Sequence, residues 1–501
     1  MTVADVRRRA MRGGVALAIG QLLRGAIQLC SLVVLARLLA PSDIGVVVMA
    51  TAFVGVASVL SDFGLSMSIM REQDLDRRIR DQIFYLNLAL AAIIAACVWA
   101  LAPVIAAFYD QPSLESVTHW LALSTFMVSL APQFRAELAT QMNYRWLASA
   151  DVLSQAVGLA VAVVAASLGA HYWSVVYQQL SAAVCLLAVL SAASRYLPRS
   201  KLNLRDVRGH LQLGATTLAA QATNYVAVNS GPAAVGRALG ATAVGVYSRA
   251  FMLASIPLVQ LASPLTRVAV PMLARTRGDD DLVVALGRIQ QLLAYILMPL
   301  LVLLGVGGAP LIEILFGVAW TAGGGTLQIL AVGGLFQVAG YAFFWLFIQK
   351  NRLATLWLCE LAIWVVLVPL FFVAGERGQG AVALLYSIGL VANWLLVGTV
   401  GCRRIGISSR DLMIPSVRRL FYFGLLMAIG TVAREVLECL MDFSGLATLT
   451  FSYVATGLAS LLLLAIPTFR LEVGEVYQVL REVLGRPMDA GDGKSRRKYS
   501  R

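Results

Sequence analysis

Arg37-Leu38-Leu39-Ala40-Pro41-Ser42-Asp43-Ile44-Gly45-Val46 recurs, weakened but in register, as Arg237-Ala238-Leu239-Gly240-Ala241-Thr242-Ala243-Val244-Gly245-Val246, an offset of 200 residues. The correspondence reaches upstream, where Gln21 matches Gln221 and Arg24 matches Asn224. Solenoid repeats run to about 50 residues, so this period belongs instead to the internal duplication from which many membrane transporters are built. The chain is read as two homologous halves.

Composition sets the solvent. Hydrophobic residues make up 59% of 501 and charged residues 13%, with no stretch of ordinary soluble-domain composition before the tail. Such a chain belongs in a bilayer. The net charge of +13 does not indicate nucleic acid, because the basic residues form short clusters between apolar runs rather than one patch with interleaved aromatics. Cys30, Cys97, Cys185, Cys359, Cys402 and Cys439 stand singly, without metal or disulfide spacing. The start, Val6-Arg7-Arg8-Arg9 before an apolar run, is read as a retained first span, since the run is long and carries Arg24 near its middle.

Breaking the sequence at polar clusters leaves about fourteen apolar segments, near 13–36, 44–70, 83–108, 118–134, 150–169, 173–194, 210–230, 243–265, 289–309, 324–348, 353–374, 379–401, 420–440 and 446–466. Each is long enough for a tilted helix across a hydrocarbon core of about 30 Å. The fourth and seventh are the most polar. The fold class that follows is an all-α polytopic membrane protein of about fourteen transmembrane helices.

With a cytoplasmic N-terminus, all of the 40 basic residues fall inside except Arg24, Arg37, Arg237, Arg249, Arg377 and Arg434. That segregation is the positive-inside pattern. Six spans per half is an even number, so the halves enter the membrane in the same direction as a parallel repeat. The expected organisation is an N-terminal six-helix lobe over 1–200, a C-terminal six-helix lobe over 201–418, two additional helices over 419–466, and a basic cytoplasmic tail over 467–501. Both termini are expected in the cytoplasm.

The first segment carries Gln21, Arg24, Gln28 and Ser31 on one helical face, which lipid is a poor partner for. The second segment carries Thr51, Gly55, Ser58, Asp62 and Ser66, and the seventh carries Thr217, Gln221 and Asn224. These three helices are therefore expected to line an interior. A charge at mid-bilayer costs about 2.5–3.5 kcal/mol on insertion scales and marks a pathway or a cavity. Arg24 and Asp62 fall at similar depths, so they are read either as a structural ion pair or as an anion ligand beside its neighbour. Arg249 admits two readings, a cavity ligand or an arginine reaching the outer interface. Glu360, in the eleventh segment, suits a helix-bridging bond or the binding of a proton or cation. His119, His171 and His210 lie singly near segment ends, Gly323-Gly324-Gly325 lacks the Lys-Ser/Thr of a phosphate loop, and no catalytic constellation is visible.

The run Ala36–Gly45, followed by Asp62-Phe63-Gly64-Leu65-Ser66, resembles the N-terminal signature of bacterial polysaccharide exporters in the multidrug/oligosaccharidyl-lipid/polysaccharide superfamily, specifically the Wzx-type branch. Gly245-Val246-Tyr247-Ser248-Arg249-Ala250, Pro271-Met272-Leu273, Pro310-Leu311 and Gly317-Val318-Ala319-Trp320 follow in the family's order. The resemblance covers about residues 10–440 and barely distinguishes one glycan from another. It implies an inner-membrane flippase, not an enzyme, in which two lobes surround a central cavity and move an undecaprenyl-diphosphate-linked oligosaccharide outward by alternating access. It implies membrane lipid, a glycan polymerase and chain-length proteins as partners. Arg24 and Arg249 then supply cations for the phosphates, while Gln21, Gln28, Gln221 and Asn224 supply amides for the sugar. No cofactor is expected; the driving force is the membrane potential, a proton or Na⁺, with Asp62 and Glu360 as candidate ion carriers.

Two rivals stand beside this expectation. A drug/cation antiporter of the same superfamily would favour interior carboxylates over arginines. A membrane glycan polymerase or ligase would need a long outward loop, and every outside loop expected here is short.

Overall fold

The computed structural model describes residues 3–61, 77–196, 215–440, 445–463, 465, 470 and 472–474. Asp62, most of the linker Arg195–Gln212 and most of the tail over 467–501 lie outside them. The described residues are helical throughout, without a strand.

The helices are α1 Val3–Leu38, α2 Pro41–Ser61, α3 Arg77–Tyr109, α4 Ser113–Thr140, α5 Tyr144–Ser167, α6 Trp173–Ser194, α7 Ala215–Leu273, α8 Asp279–Phe316, α9 Gly324–Gln349, α10 Leu353–Gly375, α11 Gln379–Leu396, α12 Arg410–Leu440 and α13 Gly445–Leu463. A short turn over Val318–Gly323 joins α8 to α9, and α11 runs on through a wide turn over Val397–Gly401. Eleven helices among the described residues are long and apolar enough to cross a membrane. The protein is a multi-pass membrane protein.

The expected count of about fourteen differs from eleven for identifiable reasons. The seventh and eighth segments are counted there as one, α7, although they are two helices that meet without a connecting loop at Gly240, whose backbone (φ 81°, ψ −176°) is not helical and needs a residue without a side chain. Helix α2, Pro41–Ser61, falls outside the eleven because they are counted over the described residues alone. Helix α4 carries Glu115, Gln133, Arg135 and Glu137 and falls outside the eleven.

Two sets of helices emerge, α1–α6 and α7–α13, each packed mainly within itself. Transmembrane helices gain little from the hydrophobic effect when they associate in lipid, so close packing and polar contacts must hold the sets together. Their main junction is α2 against α7. There the duplicated stretch meets itself: a methyl group on Gly45 would overlap the backbone of Ala241, and one on Gly245 would overlap that of Pro41. Residues 41 and 45 thus exchange contacts with 241 and 245, the reciprocity of a local two-fold axis between the copies. Glycine is what allows these backbones to approach.

The buried cores show how the sets diverge from this junction. One core is shared, combining Leu32, Leu35, Ile44 and Met49 with Val244, Tyr247, Phe316 and Trp320. Away from Arg37 the cores separate. Phe134, Leu138, Leu147, Leu190 and Tyr196 pack within the first set, while Leu286, Leu293, Leu346 and Leu412 pack within the second. Polar ties at that opposite end also stay inside each set: Arg80 with Glu137 at 3.0 Å, Arg135 with Asp151, Tyr196 donating to Asp81, and Lys350 with Asp279. The sets are closed on each other at the Arg37 end. Among the described residues, the opposite end carries no ion pair joining one set to the other.

Candidate functional site

The polar face of α1 is placed between the two sets. Gln21 donates through Nε2 to Gln260 Oε1 of α7 at 3.4 Å, and Gln260 donates through its own Nε2 to Gln28 Oε1 at 3.4 Å. One side chain from the second set is therefore clasped between two from the first. Gly25 lies beside the Gln260 amide, where an added methyl would sit 3.4 Å from it. Further along the same face, Ser31 accepts a 2.8 Å hydrogen bond from Gln178 of α6, which fixes α1 to its own set.

Arg24 lies between Gln21 and Gln28 on this face and is half-buried. It forms no ion pair among the described residues. A guanidinium without an ion-pair partner among the described residues, in a membrane interior and flanked by amides, is equipped to meet an anion bearing hydroxyl groups. Asp62 lies outside the described residues.

Gln221 and Asn224 lie in the first part of α7, both exposed. Between them Thr223 accepts a 3.0 Å hydrogen bond from the Trp357 indole of α10, and just beyond them Tyr225 donates to the Thr51 carbonyl of α2 at 2.8 Å. This part of α7 is thereby anchored on both sides while Gln221 and Asn224 stay uncovered. Arg249 is placed differently. At 8% exposure it is buried one turn past the Gly245 crossing, beside Tyr247 and Ala250 of the shared core, and its Nε has no hydrogen-bond partner among the described residues. Glu360 sits half-buried in α10, one turn from Trp357, with no ion pair among the described residues. No group of three or more His, Cys, Asp or Glu side chains suited to a metal occurs among the described residues.

Three contributors escape a reading of sequence. Gln260 is a single glutamine near the end of an apolar segment, and the polar residues at helical spacing from it, Ser263 and Arg267, do not show that it meets α1. Trp320 looks like an ordinary apolar residue, yet its indole donates to the Ala36 carbonyl across the junction at 2.8 Å. Arg434, expected in an outside loop, is buried in α12 and donates to the Val306 carbonyl at 3.1 Å, beside the break in α8 at Gly308. A helix break frees a carbonyl, and hydropathy cannot locate it.

Residues 34–323 match the family model described as polysaccharide biosynthesis protein. The chain belongs to this family. The match begins just before Arg37 and ends just after Trp320, so it spans both copies of the duplicated stretch. Family relatives include the lipopolysaccharide biosynthesis protein WzxC of Escherichia coli strain K12, 24% identical over 400 residues, covering 78% of this chain and 79% of the relative. Another is the teichuronic acid biosynthesis protein TuaB of Bacillus subtilis strain 168, 24% identical over 346 residues, covering 68% and 71%. Among solved structures, the inward closed form of the lipid II flippase MurJ superposes with a TM-score of 0.66 at 11% identity, covering 95% of this chain and all of that one. An inward-facing multidrug resistance MATE transporter of the MOP superfamily gives 0.62 at 17%, covering 78% and 98%. These likenesses establish a fold shared between the polysaccharide biosynthesis family and polytopic helical transporters.

Proposed function

We propose that the protein is a flippase of the bacterial inner membrane that moves undecaprenyl-diphosphate-linked oligosaccharides from the cytoplasmic to the periplasmic leaflet for exopolysaccharide, capsule or O-antigen synthesis. The observation that carries this reading is the α1 face, where a cation without an ion-pair partner among the described residues stands between two amides at the seam of two helix sets. A diphosphate-sugar needs both chemistries, cation for phosphate and amide for hydroxyl. Membership of a polysaccharide biosynthesis family supports it, as do relatives named for lipopolysaccharide and teichuronic acid biosynthesis. The basic clusters support cytoplasmic termini, which makes the Arg37 end periplasmic and the state described here closed on the periplasmic side. The two sets then rock about their seam to give alternating access.

A doubly negative headgroup moving outward gains about 2.3 kcal/mol per charge per 100 mV, roughly 4–5 kcal/mol across the full field. The potential therefore suffices as a driving force of useful size, with Glu360 and Asp62 available to carry a coupling proton or Na⁺. A glycan polymerase and chain-length proteins act on what this step delivers; no catalytic step is assigned to the chain itself. The test is a deletion strain complemented with the gene. Restored surface glycan, with loss of lipid-linked oligosaccharide accumulated on the cytoplasmic leaflet, is expected. Normal glycan and no accumulation in the deletion strain would count against the reading.

A further inference from the structure

At the junction two helix C-termini face each other. Helix α1 of the first set ends at Leu38 and helix α8 of the second ends at Phe316. Each C-terminus carries unpaired carbonyls and a partial negative charge equivalent to about half an electron, so two of them brought together repel. Arg37 lies between them. From the last turn of α1 its Nε donates to the Leu315 carbonyl at 3.1 Å and its Nη2 to that of Ile314. The second set answers in kind, since the Trp320 indole, 1% exposed, donates to the Ala36 carbonyl of α1 at 2.8 Å. Each set thus caps the helix end of the other, and one positive charge neutralises both dipoles.

We infer that Arg37 is a gate-positioning residue whose guanidinium, with the Trp320 indole, latches the Arg37 end shut and must let go for the carrier to open there. Three features separate a latch from passive packing. Its hydrogen bonds join different sets, whereas the ion pairs at the opposite end stay within one. Arg37 is solvent-exposed, so water can replace its bonds when the sets part, and the cost of opening is moderate. The equivalent of Arg37 in the second copy, Arg237, also reaches across, its guanidinium carbon 5.9 Å from the ring centre of Phe108 on α3. That contact is a cation–π approach without carbonyl acceptors among the described residues and is weaker, so the closure is asymmetric and Arg37 dominates it.

The inference rests on the alternating-access reading, but its test needs no substrate. Spin labels replace Glu115 and Glu376, exposed residues of the two sets at the Arg37 end, and in a second sample Gln141 and Arg352 at the opposite end. Exposed native cysteines are first changed to serine. Distances are measured by electron–electron resonance on protein reconstituted in lipid. In Arg37→Ala, the population with a long 115–376 distance rises about tenfold, the effect of losing two charge-assisted hydrogen bonds that water largely replaces on opening, and the 141–352 distance shortens in step. Trp320→Phe gives a smaller shift in the same direction, and Arg37→Lys restores part of the closed population. Arg37→Gln replaces Arg37→Ala if the alanine variant does not yield folded protein. Unchanged 115–376 distances in the Arg37 variant overturn the latch. Loss of flipping by the wild type would instead strike the transport reading and leave these distances as they are.

Discussion

Arg24 was legible at the level of single residues because a charge in an apolar segment with amides three before and four after it can only be a helical stripe. What sequence left open is whether Arg24 serves a phosphate or Asp62. Mutation separates the two. A strut stranded by loss of its partner destabilises the protein, and removing both partners restores most of the loss. A phosphate ligand is not rescued that way. Arg24→Ala is expected to insert in normal amounts yet lower glycan export about tenfold or more, Arg24→Ala with Asp62→Ala to be equally deficient, and Arg24→Lys to recover part of the activity. Export normalised to inserted protein is the measurement, and normal export by the double variant would leave Arg24 as a strut. Gln260 was illegible for the opposite reason. Nothing local shows which helix it faces, and its partners Gln21 and Gln28 are more than 230 residues away.

Elements were read well where hydropathy alone decides and less well where polar residues interrupt. Most apolar segments lie on helices of matching extent, whereas the direct meeting of the seventh and eighth segments without a loop depends on backbone geometry at Gly240. The duplicated stretch was recognised as the organising feature, but that its two copies touch each other is a fact of packing. The reciprocal contacts give a prediction at this scale. Gly45→Ala and Gly245→Ala each force α2 away from α7 and should destabilise the protein to a similar degree, about 1–3 kcal/mol. Thermal unfolding monitored by size-exclusion chromatography would show matched downward shifts; tolerance of one and not the other would contradict the two-fold reading of the junction. Sidedness is tested on the connections between elements. A cysteine at Glu115 should be labelled from outside in intact spheroplasts, and one at Gln141 only after permeabilisation. The reverse pattern would invert the topology.

For the whole molecule, one arrangement connects composition to transport. Apolar helices place the chain in the bilayer, a duplicated stretch packs against its own copy to join two sets at one end, and separate cores let them part at the other. A polar face bearing Arg24 lies along the seam. The helical character, the duplication and this face were accessible from sequence because each is periodic or repeated. Closure at the Arg37 end was not, since side chains donating to carbonyls of distant helices leave no pattern in composition. The most direct measurement reconstitutes the purified protein in vesicles carrying a fluorescent undecaprenyl-diphosphate oligosaccharide in both leaflets, with a glycosidase added outside. The account predicts that wild-type protein exposes the inner-leaflet oligosaccharide to cleavage while Arg24→Ala leaves it protected; wild-type vesicles indistinguishable from protein-free ones would contradict it.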